Sequence, residues 1–333
     1  MPMTQPDRRP KSFPPPEFPP HRPALFAKVP PAVFPPILGL LGLAVALRLA
    51  LEWIGQPTDA ADLVAGVAVA LWAFAVLAYL AKIARRPGVV VDDLRVLPGR
   101  SGLAASSMGG MAASALVAPH QPELAMGLLV AALLAHLLLA FLLARLLLSL
   151  PPASRAVNPT MHLSFVGFIV GAPAAMALGW VPLAQTLFCA TLPVAIGIWG
   201  ASAMQVLRVM PPAVLRPLLA THVAPAGLLA TVATLLDKDE IAQILLMFGT
   251  LCTLILAVYI RWICEAGITP LWSAFTFPLA AITTAMLVNA NGWQLPGLGL
   301  AAVALIANPL ILFWVLKRWP GGRLATVTNA AEA

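Results

Sequence analysis

Charge is what this sequence has least of: 10% of its residues are Asp, Glu, Lys or Arg, against 60% hydrophobic and a mean hydropathy of +0.91. Soluble domains carry about 25% charged residues, so a soluble fold is excluded and the chain reads as a polytopic membrane protein. Cysteine is scarce as well. Cys189, Cys252 and Cys264 fall in or beside apolar stretches, with no spacing that makes a zinc or redox site; they read as small core side chains, and no metal or other cofactor is expected. Carboxylates are missing at depth, since all 13 Asp and Glu lie in tails, loops or span ends. Proton pumps and cation-coupled carriers hold their ion on an intramembrane carboxylate, so the expected cargo is an anion moving down its gradient. Catalytic signatures are lacking too: there is no HExxH, no intramembrane Asp pair and no GxSG with a partner His. Ser164 stands two residues from His162, and side chains two apart on a helix do not face each other, so no nucleophile and base are paired. An enzyme is not expected.

What the chain does have is long apolar runs. Residues 1–29 are proline-rich and basic, without the apolar core or cleavage site of a signal peptide, and read as a disordered cytoplasmic tail. Ten spans follow, near 31–50, 60–83, 101–118, 122–149, 158–178, 181–205, 212–235, 240–262, 267–289 and 296–317. Residues 30–318 thus form the transmembrane domain and 319–333 a C-terminal tail. With both termini in the cytoplasm, only Arg48 and Lys238 of the 20 Lys and Arg fall outside. That is the asymmetry of the positive-inside rule, so the net charge of +7 reflects topology and nucleic acid is not expected as a partner.

The odd-numbered spans differ from the even ones. Each opens near proline: Pro30, Pro31, Pro35 and Pro36; Pro98; Pro159; Pro211 and Pro212; Pro270. Each also carries small or hydroxylated residues, whereas the fourth and eighth are leucine-rich. Leucine-rich helices suit lipid, and small ones suit close packing or a lumen. Gly267 to Val288 is the extreme case, with Pro270, Pro278, Ser273, Thr276, Thr283 and Thr284 among its apolar residues. Backbone freed by proline at membrane depth must face protein or water, so the stretch is either a packed structural helix or a pore wall. Odd spans start every 55 to 67 residues or so, about one helical hairpin. The predicted fold class is therefore all-α: ten transmembrane helices as five hairpins, an inner five-helix pore barrel inside an outer ring.

The stretches VPPAVFPPILGLLGLAVALR (Val29 to Arg48), NPTMHLSFVGFIVGAP (Asn158 to Pro173), THVAPAGLLATVA (Thr221 to Ala233) and LWSAFTFPLAA (Leu271 to Ala281) resemble the tellurite-resistance and C4-dicarboxylate transporter family. That group includes bacterial tellurite-resistance proteins and plant guard-cell slow anion channels. The resemblance spans residues 29–318. It implies five hairpins with quasi-five-fold symmetry, a pore in each protomer, a homotrimer in a bacterial inner membrane, and a phenylalanine plug on the ninth helix. The plug corresponds to Phe277, followed by Pro278. Phe168 stands where a polar Asn is common in the family.

Taken as residues, Phe277 is either a hydrophobic gate, closing a narrow path by one rotamer change, or an ordinary core phenylalanine. His162 and His222, inside odd spans, are either functional or bonded to a neighbouring helix; His136, in an even span, reads as structural. The expected pore lining is Phe34, Ser106, Gly110, His162, Ser164, Phe165, Gly167, Thr221, His222 and Thr276. Arg48 at the outer mouth, with Arg216 and Arg261 at the inner, would attract anions or serve as snorkelling anchors. The expected function is an anion channel passing small inorganic or carboxylate anions, with a carrier of C4-dicarboxylates, sulfite or tellurite as the alternative.

Overall fold

Proline sets where the buried helices begin. The computed structural model describes residues 24–151, 155–289 and 291–333, so most of the basic tail expected over 1–29 lies outside the described residues. A 3-10 turn over Pro31–Val33 opens α1 (Phe34–Trp53). Helix α2 is Asp59–Arg85, α3 Val89–Arg95, α4 Leu97–Val117 with Pro98 in its first turn, and α5 Pro122–Ser149. A π turn over His162–Val166 and a 3-10 turn over Gly167–Val170 then lead into the short α6 (Gly171–Ala177), followed by α7 (Val181–Val206). A 3-10 stretch over Ala213–His222 precedes α8 (Val223–Leu235), and α9 (Asp239–Val258) and α10 (Ile260–Ile263) come next. A 3-10 turn over Pro270–Phe275 opens α11 (Thr276–Val288); α12 (Gln294–Leu316) and α13 (Arg323–Val327) complete the chain. Proline supplies no N–H and fixes φ, so it is tolerated in a first turn and breaks the ladder deeper in.

The described residues form no strand, and eight helices are long and apolar enough to cross a membrane. Two of the ten expected spans fall outside that set. Leu97–Val117 is long but rich in Gly, Ala and Ser, and His162–Ala177 is apolar but short.

Burial separates two classes of helix. Within their most apolar windows, the segments Pro31–Trp53, Ala213–Leu235 and Pro270–Val288 are 67%, 72% and 67% buried. The corresponding shares for α2, α5, α7, α9 and α12 are 28%, 22%, 33%, 22% and 28%. The second class exposes Leu, Ile, Val and Phe, as at Leu137, Phe141, Leu254 and Phe313, which suits contact with lipid tails. Helix α1 packs on α4 and α11, α4 on α6, α6 on α8, and α8 on α11; each of the five also packs on the long helix that follows it. Acidic residues cluster in first turns, Asp59 and Asp62 in α2, Glu123 in α5, Asp239 and Glu240 in α9, where the helix dipole favours negative charge.

The C-terminal residues fold back. Leu324 is fully buried, the Ala331 N–H donates to Asp93 Oδ1 at 2.8 Å, and Lys28 pairs with Glu332 at 3.1 Å. Asp93 Oδ2 also accepts from Lys82 Nζ (2.9 Å) and Tyr79 OH (2.8 Å), and Lys82 donates to the Val29 carbonyl at 3.0 Å. Both charged side chains of this pair are fully buried.

Candidate functional site, an apolar cavity beside Phe277

An internal cavity of about 40 Å³ is walled by all five proline-opened segments. Pro35 and Leu38 come from α1, Met108 from α4, His162 and Gly167 from the turns before α6, Thr221 and Pro225 from the α8 segment, and Ser273 and Phe277 from the α11 segment. One water needs about 10–15 Å³ of such volume, so the space admits a few waters at most. His162, Thr221 and Ser273 are the polar side chains of this lining; the rest is largely aliphatic or aromatic.

Phe277, 7% exposed, sits one residue into α11, just past the 3-10 turn. Gly42 of α1 faces its ring, and a Cβ built there would stand 3.2 Å from Phe277 Cδ2. Next to it, Gly39 lies so close to Thr276 that any side chain would collide with it. Thr276 Oγ1 donates to the Ser273 carbonyl at 2.8 Å. Asn308, fully buried in α12, donates through Nδ2 to the carbonyls of Gly39 (3.0 Å) and Thr276 (3.2 Å). The sequence reading missed Asn308. Its signal is an Asn-Pro pair inside a leucine-rich span, where an amide needs a buried partner.

Behind the cavity runs a polar chain. His162 Nε2 and His222 Nδ1 are 3.0 Å apart, and His222 Nε2 is 2.9 Å from Ser202 Oγ of α7. Trp199 Nε1 donates to the His222 carbonyl at 3.1 Å. Only His162 of the two histidines touches the cavity; His222 stands behind it. His136 lies against Ser107 Oγ at 2.8 Å and edge-on to Phe168 at 4.5 Å, a packing position within the bundle.

Of the other expected lining positions, Gly167 reaches the cavity along with Thr221, Phe277 and Pro278. Phe34 instead stacks edge-on against Tyr79, and Ser106 and Gly110 face Trp72 of α2: Trp72 Nε1 donates to the Ser106 carbonyl at 2.8 Å. Thr276 is buried against α1, Ser164 is buried in the π turn, and Phe165 is half-buried against the core. Hydroxyls tend to bond back to their own helices, as Ser106 to Leu103 (2.7 Å), Thr231 to Gly227 (2.9 Å) and Thr283 to Leu279 (2.7 Å). Such back-bonding leaves the small residues to serve close helix approach.

Two of the three expected anion-attracting arginines have carboxylate partners, Arg48 with Asp62 and Arg216 with Glu265. Arg216 also stacks 4.2 Å over the Trp262 ring, while Arg261 is exposed on α10. The three cysteines are free, and burial raises the pKa of the Cys264 thiol. Among the described residues, no group of three His, Cys, Asp or Glu could hold a metal.

A search of curated proteins finds no match to this chain. A family model does match: residues 28–317 fit the SLAC1 family, described as voltage-dependent anion channel, over the same stretch that contains the cavity and every long apolar helix. The chain therefore belongs to the voltage-dependent anion channel family, a family of anion transporters and channels, and is a multi-pass membrane protein.

Proposed function

We propose that the protein is an anion channel in which ten transmembrane helices form five hairpins, their first helices making a pore barrel inside an outer ring, with Phe277 as the gate. Residues 30–318 constitute this channel domain, in a bacterial inner membrane with both termini cytoplasmic, and the resemblance favours a homotrimer. The observation that carries the reading is the cavity: all five proline-opened segments contribute to its wall, and Phe277 lies on it. The successive packing of α1, α4, α6, α8 and α11 supports the barrel. An apolar cavity with room for only a few waters excludes hydrated ions by dewetting, so conduction requires the ring to move. His162, Thr221 and Ser273 offer hydrogen bonds to an anion that has shed water, without a fixed charge that would hold it.

Anion efflux from liposomes tests the proposal. Phe277→Ala is expected to pass chloride and nitrate about tenfold faster than wild type, the factor that corresponds to 1.4 kcal/mol off a barrier, with their ratio little changed. Saturable exchange of malate by the wild type, abolished by the same substitution, would instead establish the carrier.

A further inference from the structure

A second concavity, of about 820 Å³, opens beside the folded-back C-terminal segment, which contributes Arg323, Val327 and Thr328 to its wall. Its wall includes Pro98 of α4, Leu215 of the turn before α8, Thr269 just before α11, Lys317 and Arg318 after α12, and Arg323 of α13. Three cations line it and no carboxylate does. None of the three belongs to an ion pair among the described residues. The Thr269 hydroxyl oxygen is buried there without a hydrogen-bond partner. The fold assembles this wall deliberately: Gly321 and Gly322, both at φ 77°, reverse the chain so that the Leu324 N–H reaches the Arg318 carbonyl at 2.8 Å, bringing Arg323 back toward Arg318. Burial of Leu324 and the bond from Ala331 to Asp93 then hold α13 in place.

We propose that this crevice binds a phosphoryl-bearing anion. Small-molecule sites occupy roughly 300–1,000 Å³, a size a bare halide would leave almost empty. Guanidinium forks match phosphate oxygens two at a time, and the ammonium of a lysine adds a mobile point charge. Uncompensated like charges in one concavity call for a multivalent anion, and the Thr269 hydroxyl supplies one more donor. A free phosphate ester and the headgroup of an acidic lipid share this chemistry. Thr269 leads through the Pro270–Phe275 turn to Phe277, so occupancy would be felt at the gate. That consequence rests on the channel reading above, whereas binding itself does not.

The test uses the full chain in nanodiscs of phosphatidylcholine, titrated with inorganic pyrophosphate by calorimetry. Saturable binding is expected, weakened at least tenfold in Arg318→Gln/Arg323→Gln, weakened in Thr269→Val, and unchanged in Arg208→Gln, an exposed cation elsewhere. It should persist in Phe277→Ala, which separates failure of this site from failure of the gate. If pyrophosphate does not bind, native mass spectrometry in nanodiscs doped with phosphatidic acid reads the lipid source: retention by wild type and loss in the double variant sustain the site. Retention of neither probe overturns the proposal, as does equal binding by wild type and double variant. Melting and elution profiles check the fold, and Arg323→Gln alone, on the exposed α13 side chain, is read the same way if the double variant is unstable.

Discussion

Asn308 does at residue scale what no backbone bond can do, because proline turns leave the start of α11 without a regular ladder. Its amide ties the Thr276 carbonyl to the Gly39 carbonyl of α1, immediately before Phe277. Asn308→Ala should lower stability by about 1–3 kcal/mol, the net worth of two hydrogen bonds at roughly 0.5–1.5 kcal/mol each, read as a lowered melting temperature in detergent. Under the proposed gate it should also loosen the Phe277 ring and raise anion leak, so a variant that melts like wild type and leaks no more would show that Asn308 does not hold that ring. Gly39→Ala tests the same contact sterically. A methyl there collides with Thr276, and overpacking of this kind costs about 1–3 kcal/mol, which should again appear as a lower melting temperature.

At the scale of elements, the Lys82 and Asp93 pair joins α2, α3, the Val29 segment and the C-terminal residues. Removing one partner strands a buried charge, at about 3–5 kcal/mol. Lys82→Met is therefore expected to melt well below wild type and to free the residues beyond α12 for proteolysis, and Lys82→Met/Asp93→Asn should recover much of the loss. Helix identity was legible in the sequence for physical reasons: leucine-rich runs such as 122–149 have one solvent they suit, and proline clusters mark where the ladder must restart. The direction of side chains was not legible. Ser106 and Gly110 look the same in sequence as residues that line the cavity, but Trp72, distant in sequence, occupies the groove they leave. Thr276 likewise carries a hydroxyl that could face the cavity, but Gly39 packs against it and Asn308 bonds its carbonyl. Phe277 and His162 line the cavity; the resemblance singles out the first, and the second stands out because an imidazole is conspicuous in any apolar stretch. The folded C-terminal segment was missed, since residues 319–333 carry only three large apolar side chains, Trp319, Leu324 and Val327, too few to announce a buried face.

For the whole molecule, the distribution of carboxylates governs energetics. In the long helices of the described residues, Asp59, Asp62, Glu123, Asp239 and Glu240 sit in first turns and Glu52 in the last turn of α1, so none stands at mid-span to ferry a proton across. Anion flux should therefore follow the anion gradient and membrane potential and stay the same when a pH gradient is collapsed by an ionophore at fixed potential; a proportional fall in flux would point to coupled transport. The contact of α1 with α11 and α12 has a further meaning in time. Gly39 and Asn308 are bonded across 269 residues, which a ribosome working at about 5–20 residues per second needs roughly 13 to 54 s to cover. Throughout that interval the glycine face of α1 lies in the bilayer with its final neighbour unmade, so a helix made well before its partner is among the last to reach its native surroundings.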